Sequence, residues 1–150
     1  MGPSRKLRGR NLTMRALLRG ALVLAIVTLG AVGSSQAQGG LTKQDRQGPV
    51  SVTVTLIAPP ASGAPLKAKV VLDTHSVALD SIAFDAVVAL RQPGGDVASV
   101  AVEQAQGSGH HREAVVVFPA QSLGDRLEIV VKNVGGVAER SFRWELPLKP

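Results

Sequence analysis

The 150-residue chain contains no cysteine and no tyrosine, and its aromatic side chains are three phenylalanines and one tryptophan. Without cysteine there is no disulfide framework, no thiolate ligand and no thiol nucleophile. Zinc fingers, blue-copper centres and thiol catalysis are excluded together. Stability then has to come from burial, which a domain of about 110 residues supplies unaided. The scarcity of aromatics removes the stacking platforms that single-stranded nucleic acids and sugars use. Phe84, Phe118, Phe142 and Trp144 all fall within strand patterns and read as core. An excess of positive charge also disappears once the charges are placed. Six of the 17 basic residues (Arg5, Lys6, Arg8, Arg10, Arg15 and Arg19) precede every one of the 11 acidic residues, which leaves 11 of each sign in the remainder. A basic face for nucleic acid fails on that count.

Long hydrophobic runs are missing as well. The uncharged stretch ALVLAIVTLGAVG (Ala21 to Gly33) falls short of the roughly 20 apolar residues that a bilayer core requires. It follows a basic segment and precedes Ser35-Gln36-Ala37, whose small residues suit signal peptidase. This three-part order predicts a helical secretory signal peptide over residues 1–37, cleaved after Ala37. Met14 is an alternative start to Met1. With no twin-arginine pair and no lipid-anchor cysteine, the expected product is periplasmic or extracellular. It has no membrane span after cleavage and is monomeric or weakly associating.

Residues 38–48 (QGGLTKQDRQG) lack periodicity and read as a flexible lead-in. Residues 49–150 read as one β domain, because valine-rich runs alternate with turn chemistry. In SVTVTLIAP, Val50, Val52, Val54 and Leu56 alternate with Ser51, Thr53 and Thr55, the period of a half-buried strand. LKAKVVLD places Leu66, Ala68, Val70 and Leu72 on one face. IAFDAVVALR is a third strand closed by Gln92-Pro93-Gly94-Gly95-Asp96, and VASVAVEQ is a fourth. REAVVVFP is apolar on both faces and therefore central. RLEIVVKNV and ERSFRWEL complete a set of seven. Seven short strands with regular turns predict an immunoglobulin-like antiparallel β-sandwich, with a small barrel as the alternative.

If consecutive strands reverse direction, DTHSVALD, QGSGHH and NVGGVAE fall at one end of the domain. That end then holds all three histidines, with Asp73, Asp80 and Glu139 nearby. Asp73 and His75 are two apart and share a face if the strand continues through them. His110 and His111 point to opposite faces if both are extended. The candidate metal set is Asp73, His75, His110 and His111. Its mixture of imidazole and carboxylate without sulfur suits copper(II), zinc or nickel. A structural alternative has Asp73, Thr74 and Ser76 bonding backbone groups in a tight turn. Ser76 and Ser108 lie in plain turns without a GxSxG elbow, so no nucleophilic site is expected. Glu139-Arg140 reads as a strand-end ion pair of little energetic weight.

Three segments, Leu72 to Val77 (LDTHSV), Gly109 to His111 (GHH) and Gly135 to Trp144 (GG-x2-ER-x-F-x-W), resemble those of a group of small secreted bacterial β-sandwich proteins without an assigned activity. The similarity covers most of the domain and implies fold and export. Gly109-His110 and the domain size are also similar to periplasmic copper-resistance proteins of immunoglobulin-like fold, where a glycine-histidine turn before a late strand supplies a copper ligand. The N-terminal histidine of that copper site has no counterpart after Ala37. The expectation is an exported, non-enzymatic binding or accessory domain with a His/Asp loop cluster for a divalent transition metal. The alternative is a structural module whose same loops contact a partner protein.

Overall fold

The computed structural model describes residues 40–148 together with Gly2. The signal peptide expected over residues 1–37 and the choice between Met1 and Met14 lie outside these residues. Among the described residues no helix is long and apolar enough to cross a membrane.

The elements in chain order are β1 (Thr42–Asp45), β2 (Val50–Leu56), β3 (Leu66–Thr74), α1 (Phe84–Val87), β4 (Val88–Gln92), β5 (Gly95–Ala98), β6 (Ala101–Ser108), β7 (His111–Phe118), β8 (Arg126–Val134) and β9 (Val137–Glu145). They form an all-β sandwich of two antiparallel sheets, β1-β2-β3-β7-β6 and β5-β4-β8-β9. The core follows from the alternation in the sequence. Val50, Val52, Val54 and Leu56 of β2 and Leu66, Ala68, Val70 and Leu72 of β3 are buried in one cluster with Leu127, Ile129, Phe142 and Trp144 of the opposite sheet. Each buried valine, leucine or isoleucine contributes about 1.5–3 kcal/mol by leaving water.

Strand β7 is central, as its two apolar faces require. It pairs with β3 on one side and β6 on the other. Its inward Ala114, Val116 and Phe118 belong to the core, yet the outward Val115 and Val117 are buried too. Lys67 of β3 and Glu103 of β6 are joined across β7 at 2.9 Å, so an ion pair lies over these outward valines.

Three expectations are corrected. The lead-in is not wholly flexible, because β1 forms within it and pairs with β2 from Thr42↔Thr55 to Asp45↔Val52. Polar cross-strand bonds hold it, including Thr42 Oγ1 to Thr55 Oγ1 at 3.0 Å, and these leave no hydrophobic period. VASVAVEQ is two strands. The chain leaves one sheet after Ala98 and enters the other at Ala101, which with β1 raises the count from seven to nine. The first half of IAFDAVVALR is the helical turn α1, in which Ala86 and Val87 donate their N–H groups to Ala83 O. That turn buries Phe84 against the core before the strand begins at Val88.

Arg140 also departs from its reading as part of a strand-end pair with Glu139. Its position on β9 points inward, between the apolar Phe142 and the turn, and its side chain has no solvent exposure. The guanidinium donates to Asp45 Oδ1 at 3.1 Å, Val134 O at 2.8 Å, Gln47 O at 2.7 Å and Val50 O at 3.2 Å. Burial of a charge is tolerated where hydrogen bonds replace its hydration in this way. Glu139 points outward and is gripped by both terminal nitrogens of Arg91 at 2.6 and 2.7 Å.

Candidate recognition site at the histidine-bearing end

The histidine end is built by backbone pairing. Strand β3 ends at Thr74, a buried residue whose hydroxyl donates to Pro49 O at 2.7 Å and accepts from the Ser76 N–H at 3.2 Å. This hydroxyl turn stops the strand one residue before His75. Across the sheet, Ser108 pairs with His111, so Gly109 and His110 make a two-residue hairpin turn. Gly109 supplies the left-handed φ of +61° at the first turn position, where such hairpins take glycine.

The loop from Ser76 to Ala83 is fastened to that hairpin. Leu79 N–H donates to Gly109 O at 2.8 Å, and Gly109 N–H donates to Asp80 Oδ1 at 2.9 Å. Arg112 Nη1 donates to Leu79 O and Asp80 O at 3.0 and 2.9 Å, while its guanidinium lies 5.5 Å from the centre of the Phe84 ring. The Thr74 N–H donates to His110 O at 3.0 Å. The β8–β9 turn closes the same end. An added Cβ at Gly135 would meet Val50, the strand partner of Thr74.

Asp73, His75, His110 and His111 therefore line one depression of about 380 Å³, together with Arg46 and Ser51. The clustering of loops at one end is as the strand reversals required. The internal arrangement differs from the expected one. Because β3 ends at Thr74, the strand does not continue through His75, and Asp73 finds its partner elsewhere. Its register partner is His111, and His111 Nδ1 lies 2.5 Å from Asp73 Oδ1. The other ring nitrogen, Nε2, lies 3.8 Å from Glu113 Oε2. Both nitrogens of His111 thus face carboxylates along the outer surface of the five-stranded sheet. Lys69, at 2.9 Å, and the Gln106 amide hold the Glu113 carboxyl below its ordinary value, with His111 adding to the effect. Asp73 and His111 are each about half exposed.

Among the described residues no three histidine, aspartate or glutamate side chains are grouped so as to hold a metal ion. His75 and His110 sit exposed at the rim of the depression without entering the Asp73–His111 pair. Asp80 is taken up by the Gly109 N–H, and Glu139 belongs to the Arg91 cluster on the outer face of the other sheet. No serine hydroxyl bonds a histidine among the described residues.

Two contributors were not visible from sequence. Arg112 secures the loop that carries His75, and Arg140 secures the segment that carries Arg46 and Pro49. A basic residue at an inward strand position was the available signal for Arg140, since Phe142 and Trp144 on the same face fix its direction. Comparison with protein-family models, curated proteins and solved structures found no match to this chain.

Proposed function

We propose that the chain is an exported, non-enzymatic binding or accessory domain of immunoglobulin-like fold, with the histidine-bearing end as its recognition surface. The observation that carries this reading is the convergence of Asp73, His75, His110 and His111 on one depression built by three segments of the chain. The immunoglobulin-like assignment is supported by strand order: β2-β3-β7-β6 opposed to β4-β8-β9 matches the division into ABED and CFG sheets, with β5 added at the edge. Export rests on the signal-peptide pattern of residues 1–37 and on the resemblance to small secreted bacterial β-sandwich proteins.

In its sharper form the surface takes a divalent copper or zinc ion. The four donor residues share the depression, and Asp73 against Nδ1 would orient the His111 ring so that Nε2, beside Glu113 Oε2 at 3.8 Å, serves as the ligand atom. His75 or His110 would complete the set by turning inward from its exposed position. The second reading is contact with a partner protein through the same loops. It is favoured by the mutual pairing of Asp73 and His111, which satisfies both side chains without an ion.

Titration of the purified protein with copper(II), zinc and nickel, followed by calorimetry, separates the two. Stoichiometric binding that is lost in His75→Ala and His111→Ala establishes the metal form. Absence of stoichiometric binding by the wild type removes it and leaves the protein-contact form.

A further inference from the structure

A second surface lies along strand β6, away from the Asp73–His111 pair. Among the described residues, strand β6 ends the order of the five-stranded sheet and pairs only with β7, so its other backbone edge carries no strand. Beside that edge runs an open groove of about 330 Å³, at the low end of the range for ligand sites. Ile82 and Phe84 form one wall, and Val100, Ala101 and Val102 form the other.

Four features of this groove lack a partner. The first is the backbone edge itself. The second is Val100, which is 65% exposed and, with Ile57, one of two large hydrophobic side chains left in water among the described residues. The third is Ser99, a residue of the groove wall whose hydroxyl oxygen is withdrawn from solvent and has no hydrogen-bond partner. A hydroxyl buried in that state is destabilising until something bonds it. The fourth is Asp85 on the rim, an exposed carboxylate that enters no ion pair or side-chain hydrogen bond among the described residues, although most other carboxylates here do. The cation at the groove, Arg112, is already committed to Leu79 O and Asp80 O.

We infer that the β6 edge and its groove form a docking site for an extended peptide strand, apolar at alternate positions and carrying a lysine or arginine that meets Asp85. Strand addition of this kind takes affinity from main-chain hydrogen bonds and specificity from pockets for alternate side chains. The docked strand would pair with Ala101–Glu103, where the β6 register is regular, and would end where the bulge between Glu103 and Gln106 interrupts it. Its apolar side chains cover Val100, and its basic side chain pairs with Asp85. Charge complementarity selects this occupant over edge-to-edge pairing with a second copy of the chain, because β6 carries no lysine or arginine to meet Asp85. The bulge limits the pairing length, which suits a short peptide better than edge-to-edge assembly.

The test uses the purified protein and a soluble synthetic peptide of sequence TVKVTVKV, with TVEVTVEV as its charge-reversed control. Amide chemical shifts are followed by NMR during titration. The expected result is a saturable shift at Val100 to Glu103 with the lysine peptide, weakened by about tenfold or more in Asp85→Lys and in Val100→Asp. Asp85→Lys should in turn prefer the glutamate peptide. Both residues are exposed, so the amide spectrum of each variant reports that the fold is intact. Absence of binding, equal binding to wild type and both variants, or shifts confined to β9 or to the histidine turn would overturn the proposal.

Discussion

Arg140, its side chain wholly withdrawn from solvent, donates its Nε–H to Asp45 Oδ1 across 3.1 Å and so ties the last strand to the first. The two strands belong to opposite sheets, which makes this guanidinium a fastening between the layers. Its bonds to the carbonyls of Gln47 and Val50 also fix the segment that forms one side of the histidine depression.

Replacing Arg140 is therefore expected to cost far more than a surface pair would. Arg140→Ala leaves the carbonyls of Gln47, Val50 and Val134 without their donor and removes the charge partner of Asp45, and should lower unfolding free energy by about 3–5 kcal/mol. Arg140→Lys should recover only part of this, because an ammonium lacks the planar fork that reaches four acceptors. Urea unfolding of the three proteins checks the order.

Acid sensitivity follows from the same pair. Desolvation opposes ionisation of Asp45, but hydrogen bonds from Gln47 and the charge and bond of Arg140 outweigh it and hold the carboxyl below its ordinary 3.8. A folded value below the unfolded one adds stability that is fully present above the ordinary value and is lost as pH falls through the folded value. Arg143 and the Ser141 hydroxyl do the same for Glu128, and Arg91 and Lys132 for Asp96. Stability in urea should hold from about pH 8 to 5 and fall below about pH 4. Asp45→Asn should be weaker than the wild type at neutral pH and converge with it in acid.

The Gly135-Gly136 turn offers a controlled pair of substitutions. Both residues have positive φ, of +60° and +75°. A Cβ at Gly135 would lie 2.5 Å from Val50 Cγ2, whereas one at Gly136 meets nothing within 4 Å. Gly136→Ala should cost about 1–2 kcal/mol from backbone strain alone. Gly135→Ala should exceed that, because it also displaces a fully buried valine. Thermal unfolding of the two variants measures the difference.

Within DTHS, neighbouring residues should separate sharply. Asp73→Ala removes a half-exposed hydrogen bond to His111 and should change stability by less than about 1 kcal/mol. Thr74→Val leaves Pro49 O and the Ser76 N–H without a buried partner and should cost about 1–3 kcal/mol. A larger loss for Asp73→Ala would contradict the division of this motif into a structural threonine and a solvent-facing aspartate.

The strands with one wet face were legible because alternation with period two leaves a direct mark. Val50 to Leu56 and Leu66 to Leu72 face the core as that alternation requires. Thr42 to Asp45 left no such mark, since hydroxyl and guanidinium bonds hold β1 rather than apolar burial. The break within VASVAVEQ was equally hidden, because residues on either side of Ser99 satisfy a strand pattern whether or not the chain changes sheets. For the site, the reversal of strands was enough to gather the histidine loops at one end. It could not say that β3 stops at Thr74 or that Asp73 takes His111 as its hydrogen-bond partner.

The sequence by itself determined an all-β domain, its central strand and the shared end of its histidines, because hydrophobic period and turn residues act locally and repeat along the chain. Only the tertiary structure decided that Arg140 is buried, that Asp73 pairs with His111 and that Ser99 and Val100 flank an open edge. Those relationships join residues far apart in the chain, and their energies depend on register and burial, which no local pattern encodes.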